Sequence, residues 1–131
     1  MKKILISALV TSFLILGCQD SVITVNPEIG ETFKIKYGES LVFQDEQISV
    51  RFDELAEDSR CPDDVACVWA GNARIIIQLN DLEADLNTYS DPKEANISQY
   101  NVKLLSLSPY PKAEENINKE DYTAELLVTM N

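Results

Sequence analysis

Apolar side chains return at every second position through most of this chain, and that period decides what it can fold into. Phe33, Ile35 and Tyr37 alternate with Thr32, Lys34 and Lys36; Ile48, Val50 and Phe52 alternate with Gln47, Ser49 and Arg51. Near the C-terminus Tyr122, Ala124, Leu126 and Val128 alternate strictly. Successive side chains of a strand point to opposite faces, so each run describes a strand with one apolar and one polar face. Ser40 to Phe43 reads as a short strand, and Tyr100, Val102, Leu104 and Leu107 mark another. Leu82 and Leu86 bracket a weaker strand, joined to its predecessor through Asn80-Asp81, a pair suited to a turn. Ala73 to Leu79 contains Ile75-Ile76-Ile77, a β-branched run expected to be buried on both faces. The polar stretch from Asp91 to Gln99, with Pro92, reads as a loop or a single helical turn, and Lys112 to Asp121 as a polar connection. With no long helical period anywhere, about seven strands predict an all-β fold, an antiparallel β-sandwich over residues 31–131.

The first 17 residues obey another rule. Lys2 and Lys3 precede an apolar run from Ile4 to Leu16 that is too short for a comfortable membrane span, which needs about 20 residues. Gly17 then stands before Cys18 in Ile15-Leu16-Gly17-Cys18, a layout that resembles the lipobox of bacterial lipoproteins. The expectation is a signal peptide over residues 1–17, acylation of Cys18, and a lipidated tether over residues 18–30. Acyl chains contribute about 0.8 kcal/mol per buried CH₂, so two or three anchor a protein stably. The expected location is therefore extracytoplasmic, on a bacterial membrane of the cell envelope.

The rest of the composition removes several chemistries. Beyond residue 17 the chain has nine basic and 22 acidic side chains, a charge of −13, which argues against nucleic acid and against docking on anionic lipid. There is no histidine, so Ser-His-Asp triads, Cys-His dyads and His-built metal sites are excluded. With Cys18 acylated, Cys61 and Cys67 form an even pair six positions apart. A zinc site would need further Cys or His ligands, and a redox dithiol is ordinarily spaced by two residues, so a structural disulfide is the expectation. Asp53, Glu54, Glu57, Asp58, Asp63 and Asp64 crowd one stretch, but the calcium-loop pattern of alternating acids around a central glycine is absent. A solvated acidic face is the expected reading, with no metal and no cofactor.

The most distinctive stretch runs Asp58-Ser59-Arg60-Cys61-Pro62, a short loop, then Cys67-Val68-Trp69-Ala70-Gly71 before a strand. It resembles the signature of a widespread group of small bacterial lipoproteins and secreted domains. The likeness continues at Leu107-Ser108-Pro109-Tyr110-Pro111 and Asp121-Tyr122. The resemblance implies a fold and an envelope location and carries over no catalytic residue. Read physically, Trp69 is expected to pack over the disulfide. Gly71 suits a positive φ or a close backbone approach. The Arg60 fork can bridge a carboxylate or loop carbonyls. Arg60, Pro62, Asp63, Asp64 and Trp69 are the candidate recognition residues. The expected function is a non-enzymatic binding or structural module of the envelope, its partner an envelope protein or ligand. The alternative is a protease inhibitor presenting the Cys61–Cys67 loop, which requires an exposed loop tip from Pro62 to Ala66.

Overall fold

A computed structural model describes residues 27–131. The expected signal peptide and the lipidation site Cys18 lie outside the described residues. The described residues form eight strands: β1 (Thr32–Lys36), β2 (Ser40–Phe43), β3 (Ile48–Asp58), β4 (Ala73–Leu79), β5 (Leu82–Asn87), β6 (Glu94–Ile97), β7 (Tyr100–Ser108) and β8 (Thr123–Met130). They build two antiparallel four-stranded sheets, ordered β1-β8-β7-β6 and β2-β3-β4-β5. The inner faces meet in a core that includes Ile35, Phe43, Val50, Phe52, Ile75, Ile77, Leu86, Val102, Leu126 and Val128. Removing their apolar surface from water drives the two sheets together.

The eighth strand corrects the expectation for Asp91 to Gln99, which holds β6 rather than a loop or helical turn. Only Ile97 of its four residues is buried, so an edge strand this short shows no apolar period. Its hairpin to β7 turns through Ser98 at φ 59, a pair of residues without the glycine that usually marks such turns. The β4 expectation also changes in part: its burial alternates, and Ile76 is only half-buried. Bulges interrupt the pairing in β3 and, between Leu104 and Ser106, in β7. The β7 bulge makes Leu105 the extra residue and returns Leu107 to the core face.

The two ends of the sandwich differ. Pro27 is buried, Ile29 packs against the core and the Gly30 N–H donates to the Val128 carbonyl at 2.8 Å, so the last residues before β1 lie against the sandwich. That entry point shares one end with the β2–β3 turn and the Asn80-Asp81 hairpin. The Cys61–Cys67 loop emerges at the opposite end, where β3 finishes and β4 begins. Among the described residues no helix is long and apolar enough to cross a membrane.

Candidate functional site

Beyond β3 the chain keeps its antiparallel path for a few residues before looping out. The Ser59 N–H donates to the Asn72 carbonyl at 2.7 Å and the Cys61 N–H to the Ala70 carbonyl at 3.2 Å, which forms a neck. Gly71 makes the neck possible. Its φ is +69°, and a Cβ there would overlap the Ser59 carbonyl oxygen and stand 2.7 Å from the Arg60 Cα. Above the neck, Cys61 and Cys67 are joined in a disulfide. Such a bond is at home in an oxidising, extracytoplasmic compartment. The loop is also tied sideways: the Asp63 N–H donates to the Pro111 carbonyl at 3.1 Å, and the Asp64 carboxylate accepts from the Ala113 N–H at 2.9 Å.

Arg60 sits under this loop with only 7% of its surface exposed. Its Nε and Nη2 donate to the two carboxylate oxygens of Asp58 at 2.8 and 2.7 Å. Nη1 reaches the Leu107 carbonyl at 2.6 Å and Nη2 the Pro109 carbonyl at 2.9 Å, while the guanidinium lies 4.8 Å from the centre of the Tyr110 ring. Buried Tyr122 donates its hydroxyl to Asp58 at 2.8 Å. A buried ion pair holds only when further hydrogen bonds offset its desolvation, and here four of the five guanidinium N–H groups and both Asp58 oxygens are bonded. Burial raises the Asp58 pKa, but the hydrogen bonds from Arg60 and Tyr122 and the charge of Arg60 outweigh it and hold the carboxyl below its ordinary value. Burial lowers the pKa of Arg60, and the bond to and charge of Asp58 reverse this into a net rise. Burial, then the hydrogen bond to Asp58 and its negative charge, push Tyr122 up to about 12.

These contacts sort the candidate residues. Arg60 bridges a carboxylate and loop carbonyls, as its fork suggests, but this turns it inward and removes it from the outer recognition surface. Pro62 is half-buried, whereas Asp63, Asp64, Val65, Ala66 and Cys67 are exposed. Trp69 does not cover the disulfide as a buried side chain; it is 69% exposed, beside Val68 at 95%. The acidic stretch disperses: Asp53 pairs with Arg51, Glu57 accepts from the Ser59 hydroxyl, and Asp58 belongs to the buried network. Among the described residues no three His, Cys, Asp or Glu side chains gather where a metal could sit.

Sequence reasoning gave no role to Asn72 or Tyr89. The Asn72 carboxamide donates to Asn87 Oδ1 at 2.8 Å and accepts from the N–H groups of Tyr89 and Ser90 at 3.1 and 3.3 Å. It thereby fixes the segment after β5 against the neck and presents the Tyr89 ring to solvent. A cavity of about 290 Å³ opens between these parts, lined by Arg60, Gly71, Tyr89, Leu105, Leu107 and Tyr110 among others. Tyr89, Leu105 and Tyr110 of its lining are exposed, and so are Val65, Val68 and Trp69 on the loop at the same end of the sandwich; together they are six of the nine large apolar side chains exposed among the described residues. Scattered single residues of this kind need no explanation; six of nine at one end is a concentration rather than scatter. No protein-family model, curated protein or solved structure matches this chain.

Proposed function

We propose that this chain is a lipid-anchored, extracytoplasmic, non-enzymatic binding protein of the cell envelope, and that it engages its partner with the disulfide-bearing end. The observation that carries the reading is the concentration of exposed aromatic and aliphatic side chains there, on a loop braced by a disulfide, a neck and a buried ion pair. Trp and Tyr are enriched in binding hot spots, and a braced loop has less conformational freedom to lose on binding. Polarity supports the same reading. A tether from Cys18 to Pro27 reaches at most about 30 Å and joins the domain at the end opposite the apolar one. An anchor at Cys18 then attaches at the end opposite the apolar one and leaves the apolar end free to meet a partner.

The exposed tip from Asp63 to Ala66 gives the protease-inhibitor reading some footing. Against it, the Val65 N–H donates to the Pro62 carbonyl at 3.3 Å and turns the tip back on itself, where an enzyme cleft takes an extended segment.

Two variants test the proposal. Cys18→Ser abolishes fatty-acid labelling and leaves the chain unprocessed by the lipoprotein pathway, while continued labelling refutes the anchor. Trp69→Ala changes stability by less than about 0.5 kcal/mol, as exposed substitutions do, yet weakens association with the envelope partner. Unchanged association refutes the surface.

A further inference from the structure

We infer that the cavity beside Arg60 binds one neutral pyranose ring, a single sugar unit of an uncharged glycan. This rests on the binding-protein reading and supplies the ligand's chemistry. At about 290 Å³ the cavity lies at the lower edge of pockets that enclose a small molecule, so it takes one ring and not a chain of them.

The charge balance makes the ligand neutral. Residues 27–131 have nine basic and 21 acidic side chains, yet no residue lining the cavity carries a carboxylate, so nothing there draws a cation. The cation in the lining, Arg60, already has its charge balanced by both oxygens of Asp58. An anion gains little from it and is repelled by the acidic surplus of the chain.

The polar groups left over both donate and accept. A guanidinium has five N–H groups. In buried Arg60 two serve Asp58, one serves Pro109 and one serves Leu107, and the last Nη1–H has no acceptor among the described residues. Thr88 Oγ1 accepts from the Ala73 N–H at 2.9 Å, which leaves its own O–H to donate. Ser106 Oγ donates to Glu125 at 3.0 Å, which leaves its lone pairs to accept. Sugar hydroxyls are donors and acceptors at once and answer both kinds of group. A purely apolar occupant would bury these groups unpaired, at a cost.

The rest of the lining suits the C–H faces of such a ring. Tyr89 and Tyr110 both border the cavity, each steadied by a cation: Lys93 stands 5.8 Å from the centre of the Tyr89 ring, and Arg60 4.8 Å from that of Tyr110. An aromatic face carries partial negative charge and attracts the weakly positive C–H groups of a sugar. An added peptide strand is disfavoured, because the flank of β7 is already closed. The Leu104 N–H donates to the Lys93 carbonyl at 2.9 Å, and the Leu107 carbonyl accepts from Arg60.

The experiment titrates the isotope-labelled full chain, in micelles of a sugar-free detergent, with the methyl glycosides of glucose, galactose, mannose and N-acetylglucosamine, followed by amide NMR shifts. Methyl glucuronide and N-acetylphenylalanine methylamide serve as controls. At least one neutral glycoside moves the amides of Ala70, Gly71, Thr88, Tyr89 and Leu105 to saturation and binds about ten-fold more tightly than either control, or better. Tyr89→Ala weakens that binding by about ten-fold or more, and Ser106→Ala by about two- to ten-fold, while the rest of the spectrum overlays that of the parent chain. Silence of those amides toward all four glycosides, equal or tighter binding of either control, or unchanged binding in both variants overturns the inference. If the glycosides fail while Trp69→Ala still weakens association with the envelope partner, the sugar site falls and the binding end stands.

Discussion

Arg60 explains how a small domain keeps a charged group out of water without losing stability. Its partners come from three places in the chain: Asp58 two residues away, the carbonyls of Leu107 and Pro109, and, through Asp58, Tyr122. One side chain thus ties the end of β3 to the end of β7 and the start of β8. Because the folded state lowers the Asp58 pKa below 3.8, its contribution is present above that value and is lost as the pH falls further. Tyr122 behaves oppositely. Its pKa is raised from 10.0 to about 12, so its contribution is complete below pH 10 and is lost as the pH climbs through 12. The melting temperature is therefore expected to stay level near neutrality and fall at both extremes. Tyr122→Phe flattens the alkaline fall and costs about 1.5–3 kcal/mol, the range for a hydrogen bond to a charged group. An alkaline limb unchanged in that variant excludes Tyr122 as its cause. Gly71→Ala, which forces a Cβ into the Ser59 carbonyl, is expected to lower the denaturation midpoint by more than any exposed substitution in the loop.

At the scale of elements, the strands with a buried face were legible because burial writes a period of two into them. β1, β3 and β8 alternate cleanly in sequence and in burial. The Cys61–Cys67 bond was legible from pairing arithmetic. β6 was not, since a four-residue edge strand buries one side chain. Trp69 misled for a related reason: composition shows that a Trp lies near a cystine but not which way the loop turns it. Asn72 holds the site through its carboxamide, and nothing in a single Asn after a Gly announces that. The disulfide closes a short loop, so replacing both cysteines by Ser is expected to cost about 2 kcal/mol on the chain-entropy account. For a domain of this size that lowers the melting temperature by about 8–16 °C, measured by calorimetry. The variant still folds, because the core does not include the loop. Failure to fold would place the loop inside the core's cooperative unit.

The whole molecule has two unlike ends on one rigid sandwich. The end where the described chain begins is tied by Pro27, Ile29 and Gly30, and the other bears the disulfide loop, the cavity and most of the exposed apolar side chains. A strand of 11 residues such as β3 spans roughly 35 Å, enough to separate the two functions. The most direct measurement places a photo-crosslinking residue in the full chain, in its native envelope, at Val68 or Tyr89 in the apolar end and at Gln44 or Asp81 in the opposite one. Discrete adducts of one size from Val68 and Tyr89, with none from Gln44 or Asp81, are the predicted result. Adducts from Gln44 and Asp81 alone, or equally from all four positions, would contradict the assignment of binding to the disulfide-bearing end.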